Sequence, residues 1–272
     1  MKKVVDVNYV QRPELNDYFL QSKDNFIIFT DFACMEIYKS NALKNLFCKF
    51  EIVSRYPKQV IVLKGTREIV SITLTSKNLP EDLIDDRQTK GFKPFCDKIR
   101  SSRNKKLSPL IEAELLWKQC IASQELKKLI KNAQFTIDGI IGTAKSFNPS
   151  LLKALRTDKE LSGKDIDRMI KDIFVLSAML FETHPDIPSL PKFEALKDSY
   201  IFRYTVSAYL LGLRWIMDGG LDNVSLDRFR NDMVDMSYVT YSTYFDGLLS
   251  CDKKANKLYQ DTSAFLKCFS NK

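Results

Sequence analysis

Two short uninterrupted apolar runs, Asn25-Phe26-Ile27-Ile28-Phe29-Thr30 and Gln59-Val60-Ile61-Val62-Leu63, constrain this chain more than any other feature. Each has strand length and no polar alternation, which predicts strands buried on both faces, the signature of a parallel sheet covered by helices. Asp31 ends the first run. From Ala33 to about Phe50 the apolar residues Met35, Ile37, Leu43, Leu46 and Phe47 recur at helical spacing, interleaved with lysines. After the second run, Gly65-Thr66 can cap a helix that begins at Arg67 and carries Glu68 in its first turn. Strand, acid and helix thus succeed each other twice within the first 75 residues.

The same order returns at the far end. Ser225-Leu226-Asp227 reads as the start of a helix running towards Tyr244, followed by a short strand over Phe245 to Cys251, the acid Asp252, and a final helix carrying Ala255, Leu258 and Tyr259 on one face. The middle is helical. Pro109 to Ile130, Ile166 to Phe181 and Ile201 to Met217 have helical periodicity, while Pro185, Pro188 and Pro191 punctuate a linker. Residues 79–108 lose periodicity and read as an exposed, charged connection. The expected fold class is α/β: a three-layer core with a central parallel sheet, built from residues 1–75 and 221–272, with a large helical insertion over 76–220 packing on it.

Composition narrows the function classes. At 272 residues and 44% hydrophobic content the chain can bury a sizeable core, and disorder is excluded as its main state. A formal charge of +8 favours a polyanionic partner or an acidic protein. Its six cysteines show no CxxC spacing and there is a single histidine, His184, which argues against zinc. The residues after Met1 turn polar too soon for a secretory signal, and the most apolar helix contains Arg203 and Arg214. The expectation is a cytoplasmic protein with no membrane partner.

Asp31, Glu68 and Asp252 share one position, at or just beyond the carboxyl end of a short strand, where ligands bind in open α/β sheets. Asp232 and Asp235 add carboxylates three residues apart, on nearly one helical face. Carboxylates crowded into one crevice repel unless a hard cation joins them, and Mg²⁺ or Mn²⁺ prefers oxygen ligands. Each residue also has an ordinary explanation. Asp31 or Asp252 alone is a common helix cap, Glu68 a first-turn carboxylate, Asp232 and Asp235 a solvated face, and Asp246 a turn residue. The tyrosines at 238, 241 and 244 read as a packing stripe, with base stacking as the alternative.

The tail, Asn231-Asp232-Met233-Val234-Asp235 through Phe245-Asp246-Gly247-Leu248-Leu249-Ser250-Cys251-Asp252, resembles the final helix and strand of PIN-like nucleases. In that family an acid opens a helix and a second ends the next strand, with Ser or Thr two residues before it, as Ser250 is here. Phe26 to Asp31 and Val60 to Glu68 are similar to the family's first strand with its leading Asp and second strand with its helix-borne Glu. The resemblance covers the first quarter and last sixth of the chain. It implies hydrolysis of phosphodiesters, usually in RNA, by water activated on Mg²⁺ or Mn²⁺. Asp31 and Asp252 would be metal ligands, joined by Asp235 as the third acid, with Asp232 taking or sharing that role; Glu68 would complete the catalytic set, with Ser250 and Asp246 in the surrounding shell. Lys64, Arg67, Arg100, Arg103, Lys105 and Lys106 are the candidate phosphate-contacting cations. The alternatives are an inactive nucleic-acid-binding module, or a helical interaction subunit of a toxin or defence assembly with an inhibitory protein partner; a homo-oligomer is compatible with each.

Overall fold

The computed structural model describes residues 1–39, 42–102, 109–145, 147, 150, 151, 153, 157, 162–187, 190–218 and 226–270. Its centre is a four-stranded, all-parallel sheet of order β3-β2-β1-β4, formed by β1 (Lys2–Val5), β2 (Phe26–Phe29), β3 (Val60–Val62) and β4 (Leu248–Leu249). Lys2 pairs with Phe26, Ile27 with Val60, and Val4 with Leu248. The runs expected to be buried on both faces are: every residue of β3 and all but the first of β2 are buried.

The central strand is the one that sequence patterning does not reveal. Lys2-Lys3-Val4-Val5 has only two apolar residues after two lysines, yet it lies between β2 and β4, with Val4 and Val5 fully buried. Its position creates a switch point: the chain leaves β1 for β2 and β3 on one side, and returns at last to β4 on the other. The carboxyl ends of β1 and β4 therefore flank the crevice that open α/β sheets use for ligands.

Helices α1 (Pro13–Gln21), α2 (Asp31–Tyr38), α3 (Ala42–Val53) and α4 (Thr66–Thr75) connect and follow the first three strands. The single helix expected from Ala33 to about Phe50 is two, broken after Tyr38. The expected exposed connection is corrected more strongly. Asp86–Ser102 forms α5, whose Phe92 and Cys96 are buried against β2 and α3 rings, with Phe92 centred 6.0 Å from Phe29 and 5.7 Å from Phe50. A narrow apolar stripe, interrupted by Pro94 and surrounded by charge, hides that helix from a periodicity count.

Then follow α6 (Pro109–Lys145), which extends beyond Ile130, α7 (Gly163–Thr183), the short α8 (Phe193–Leu196), α9 (Tyr200–Met217), α10 (Leu226–Ser242) and the terminal α11 (Lys253–Ser270). The helices of the middle join the sheet's own core: Phe181, Tyr200, Phe202, Val206 and Tyr209 belong to one apolar cluster with Val4, Ile27 and Ile61. No helix among the described residues is long and apolar enough to cross a membrane.

The strand expected over Phe245 to Cys251 contracts to β4. On its amino side Gly247 adopts φ +141, a conformation that a side chain would strain. On its carboxyl side Ser250 leaves the ladder to make the contacts described next.

Candidate functional site

Asp6 follows β1 directly and is only 3% exposed. Its backbone N–H donates to the Leu249 carbonyl at 2.9 Å, extending the β1–β4 ladder and bringing Ser250 alongside. The Ser250 hydroxyl donates to Asp6 Oδ2 at 2.6 Å, and Ser250 Oγ in turn accepts the Asp252 N–H at 3.0 Å. One hydroxyl thus ties together the acids that follow β1 and β4. Asp252 in turn accepts the N–H groups of Lys254 at 2.6 Å and Ala255 at 3.2 Å, capping α11, where the helix dipole favours its negative charge.

Two helices complete the acidic group. From α2, Glu36 accepts the Tyr238 hydroxyl at 2.8 Å and faces Lys39 at 3.3 Å. From α10, Asp235 sits one turn before Tyr238, and Asp232 a further turn back. Asp232 is held by the Trp215 indole N–H at 2.8 Å and lies 4.0 Å from Arg228. Asp235 differs from the rest. It is half-buried, yet among the described residues nothing donates a hydrogen bond to it.

The electrostatics follow from that arrangement. Burial pushes the Asp235 carboxyl up to about 8, and the charges of Asp6, Asp252, Glu36 and Asp232 push in the same direction. Asp6 is raised by burial against the opposing hydrogen bonds from Ser250 and Asn8, with Glu36 and Asp252 adding repulsion. Asp232 is raised by burial too, opposed by Trp215, Arg228 and Lys254. Lys49 of α3 is held below its usual range, first by burial and then by Lys39, while Glu36 and Asp6 pull the other way. Five carboxylates and a partly dehydrated ammonium group therefore share one field.

Of the residues expected from the sequence, Asp235, Asp252, Asp232 and Ser250 meet here. Asp31 does not. Its Oδ2 accepts the Thr66 N–H at 2.8 Å and the Thr66 hydroxyl at 2.6 Å, and its Oδ1 accepts the Phe32 N–H at 2.9 Å. The Tyr241 hydroxyl lies 2.6 Å from that of Thr66, so Asp31 fastens the end of β2 to the start of α4. Strand β2 lies one place further from β4 than β1 does, which is why Asp6, and not Asp31, reaches Asp252.

Glu68 is solvent-exposed and faces Lys64 at 3.6 Å. Asp246 accepts the Lys2 N–H at 2.6 Å, which places it at the amino end of β1, the opposite edge of the sheet from the acids. Arg67 makes a two-pronged contact with Asp186, at 2.8 Å for both bonds, and Arg100 donates to the Ser54 carbonyl. Arg103, Lys105 and Lys106 lie outside the described residues. Tyr238, Tyr241 and Tyr244 are buried, as a packing stripe should be, and offer no free stacking face.

Asp6 and Glu36 are the members that sequence reading missed. A signal existed for the first: Val4-Val5-Asp6 repeats the strand-then-acid order of Phe29-Thr30-Asp31 in a weaker form. For Glu36 there was none, since a glutamate within an amphipathic helix is ordinary.

The donor set is all oxygen, the chemistry that suits Mg²⁺ or Mn²⁺. Among the described residues no three acidic, histidine or cysteine side chains already enclose a ready-made cation cage; Asp6, Glu36, Asp232 and Asp252 are each drawn to a partner of their own, and Asp235 is not. No family model, curated protein or solved structure matches the chain.

Proposed function

We propose that the chain is a metal-dependent endonuclease of the PIN-like type acting on RNA, with Asp6, Glu36, Asp235 and Asp252 as its working acids and Asp232 at their edge. The observation that carries this reading is Asp235, a half-buried carboxyl with no donor among the described residues, whose burial and then the like charges around it push its titration up to about 8. A buried acid in that state is costly to the fold unless something positive is due to join it. Purely structural acids, Asp31 among them, are surrounded by donors instead.

Bound Mg²⁺ or Mn²⁺, held by Asp6, Glu36, Asp235 and Asp252, would neutralise charge on the scissile phosphate and lower the pKa of an attacking water. The protein's own groups do the rest. Ser250 fixes Asp6 and the backbone of Asp252 in relation to each other. Tyr238 orients Glu36 from the opposite helix, as partners in the second layer of a site orient its ligands. Lys39, paired with Glu36, and Lys49, in the field of Glu36 and Asp6, add positive charge to an otherwise anionic site that a phosphodiester must approach.

The test is cleavage of single-stranded and duplex RNA and DNA by the purified chain with Mg²⁺ or Mn²⁺, with Asp235→Asn and Asp252→Asn alongside. The reading expects metal-dependent RNA cleavage that both substitutions abolish while leaving the fold intact. A protein that binds RNA yet never cleaves it would be the inactive module instead, and one inert towards every substrate would end the nucleic-acid reading.

A further inference from the structure

Beside the acids lies a cavity of about 640 Å³ between α9, α10 and α11. That volume falls within the roughly 300–1,000 Å³ typical of sites for small organic groups. Leu211, Trp215, Met217 and Leu258 contribute apolar walls. Its lining carries five cations against three carboxylates, so its charge runs opposite to that of the neighbouring acids. Arg214 and Lys257 are both engaged by Asp261, at 2.7 and 2.8 Å, whereas Lys253 and Lys254 open α11 immediately after Asp252 and are exposed.

Asp232 joins the two regions. It lines the cavity, and it stands one helical turn from Asp235. The Trp215 indole that forms part of the cavity wall is the group that holds its carboxylate. An occupant of the cavity is therefore a close neighbour of whatever is bound at Asp235 and Asp252.

We infer that this cavity takes an unpaired nucleobase next to the scissile phosphate, a base that a single strand can offer and a duplex cannot. The inference rests on the nuclease reading for the position of that phosphate and for RNA as the strand. A nucleobase has flat apolar faces, polar edges and an anionic linker on each side. The apolar walls, the Asp232 carboxylate and the cations at Lys253 and Lys254 match those three features in the same order. A base within a duplex is stacked and paired and cannot enter a pocket without being extruded, whereas an unpaired base can be splayed out.

The chain supplies its own reporter. Its only other tryptophan, Trp117, is 64% exposed on α6, so Trp117→Phe leaves Trp215 as the sole indole at little cost to the fold. Combined with Asp252→Asn, which the nuclease reading makes inactive, this protein can be titrated in Mg²⁺ with a short single-stranded RNA. The same sequence as single-stranded DNA and as duplex RNA completes the set, with Trp215 emission and the anisotropy of end-labelled RNA both recorded.

The expected result is a saturable change in Trp215 emission with single-stranded RNA, and at least about 10-fold weaker binding of the duplex, in line with the value of one stacked base. Lys253→Glu with Lys254→Glu, both at exposed positions, should weaken the single strand by about 10-fold or more with an unchanged melting temperature. RNA binding seen by anisotropy with no change at Trp215, or equal affinity for duplex and single strand, overturns the pocket assignment. Tighter binding of the DNA strand overturns the choice of RNA. Cleavage by the Trp117→Phe protein, measured separately, reports on the nuclease reading alone, so failure of one leaves the other to be judged on its own result.

Discussion

Asp31 and Asp235 are both half-buried aspartates near the carboxyl ends of parallel strands, and they have opposite surroundings. Asp31 accepts three hydrogen bonds within 2.9 Å and lies beside a hydroxyl pair, so its burial is compensated where it stands. Asp235 receives no hydrogen bond from the described residues and faces four other acids. A fold that satisfies the first so fully and leaves the second exposed to repulsion is separating support from function. Position in the sheet decides which is which, because only the gap between β1 and β4 is a switch point.

Substitution can break that contrast. The largest expected effect is on cleavage: Asp6→Asn or Asp235→Asn should lower the rate by at least about 100-fold, more than the loss typical of a second-layer partner. Asp31→Asn should leave the rate per folded molecule near wild type in the same assay. If Asp31→Asn removes activity and Asp6→Asn does not, the site has been placed on the wrong strand.

Stability should show the reverse order. Asp31→Ala strands the Thr66 and Phe32 N–H groups in a packed setting and should cost about 2–3 kcal/mol, read as a lower midpoint in urea. The Asp235 carboxyl titrates near 3.8 when unfolded and at about 8 when folded. Across that window the folded state retains a proton that the unfolded state has lost, so in metal-free buffer stability falls as pH rises from about 4 to 8 and then levels. Asp235→Asn removes the penalty and should stabilise the metal-free protein at pH 8 by at least about 1 kcal/mol. A thermal scan across pH in EDTA checks this; a flat profile for the wild type would contradict it.

Smaller effects sharpen the comparison. Ser250→Ala loses the donor to Asp6 and the acceptor for the Asp252 N–H, and should reduce cleavage by about 10-fold. Glu68→Gln breaks only an exposed 3.6 Å contact with Lys64 and should change stability by less than about 0.5 kcal/mol with no loss of activity.

Much of this architecture was readable before the structure, for physical reasons that differ by element. β2 and β3 are apolar enough to be recognised alone, and the Ser250-Cys251-Asp252 end of β4 carries its own punctuation. The last of these gave Asp252 and Ser250, and the helical spacing of Asp232 and Asp235 gave those two. β1 was not readable, because its burial comes from strands on both sides and not from its own Lys-Lys-Val-Val sequence. With β1 went Asp6, and Asp31 was given its place. Glu36 became visible only when the packing of α2 on α10 put it against Tyr238. The cavity at Trp215 likewise depends on three helices that no local pattern places together.

Calorimetric titration of Mn²⁺ at pH 7 tests the central claim most directly. The account predicts binding accompanied by proton release, as a carboxyl that titrates at about 8 is emptied by the arriving cation, with both signals lost in Asp235→Asn and retained in Asp31→Asn. Absence of binding to the wild type, or binding that survives Asp235→Asn and disappears with Asp31→Asn, would contradict it.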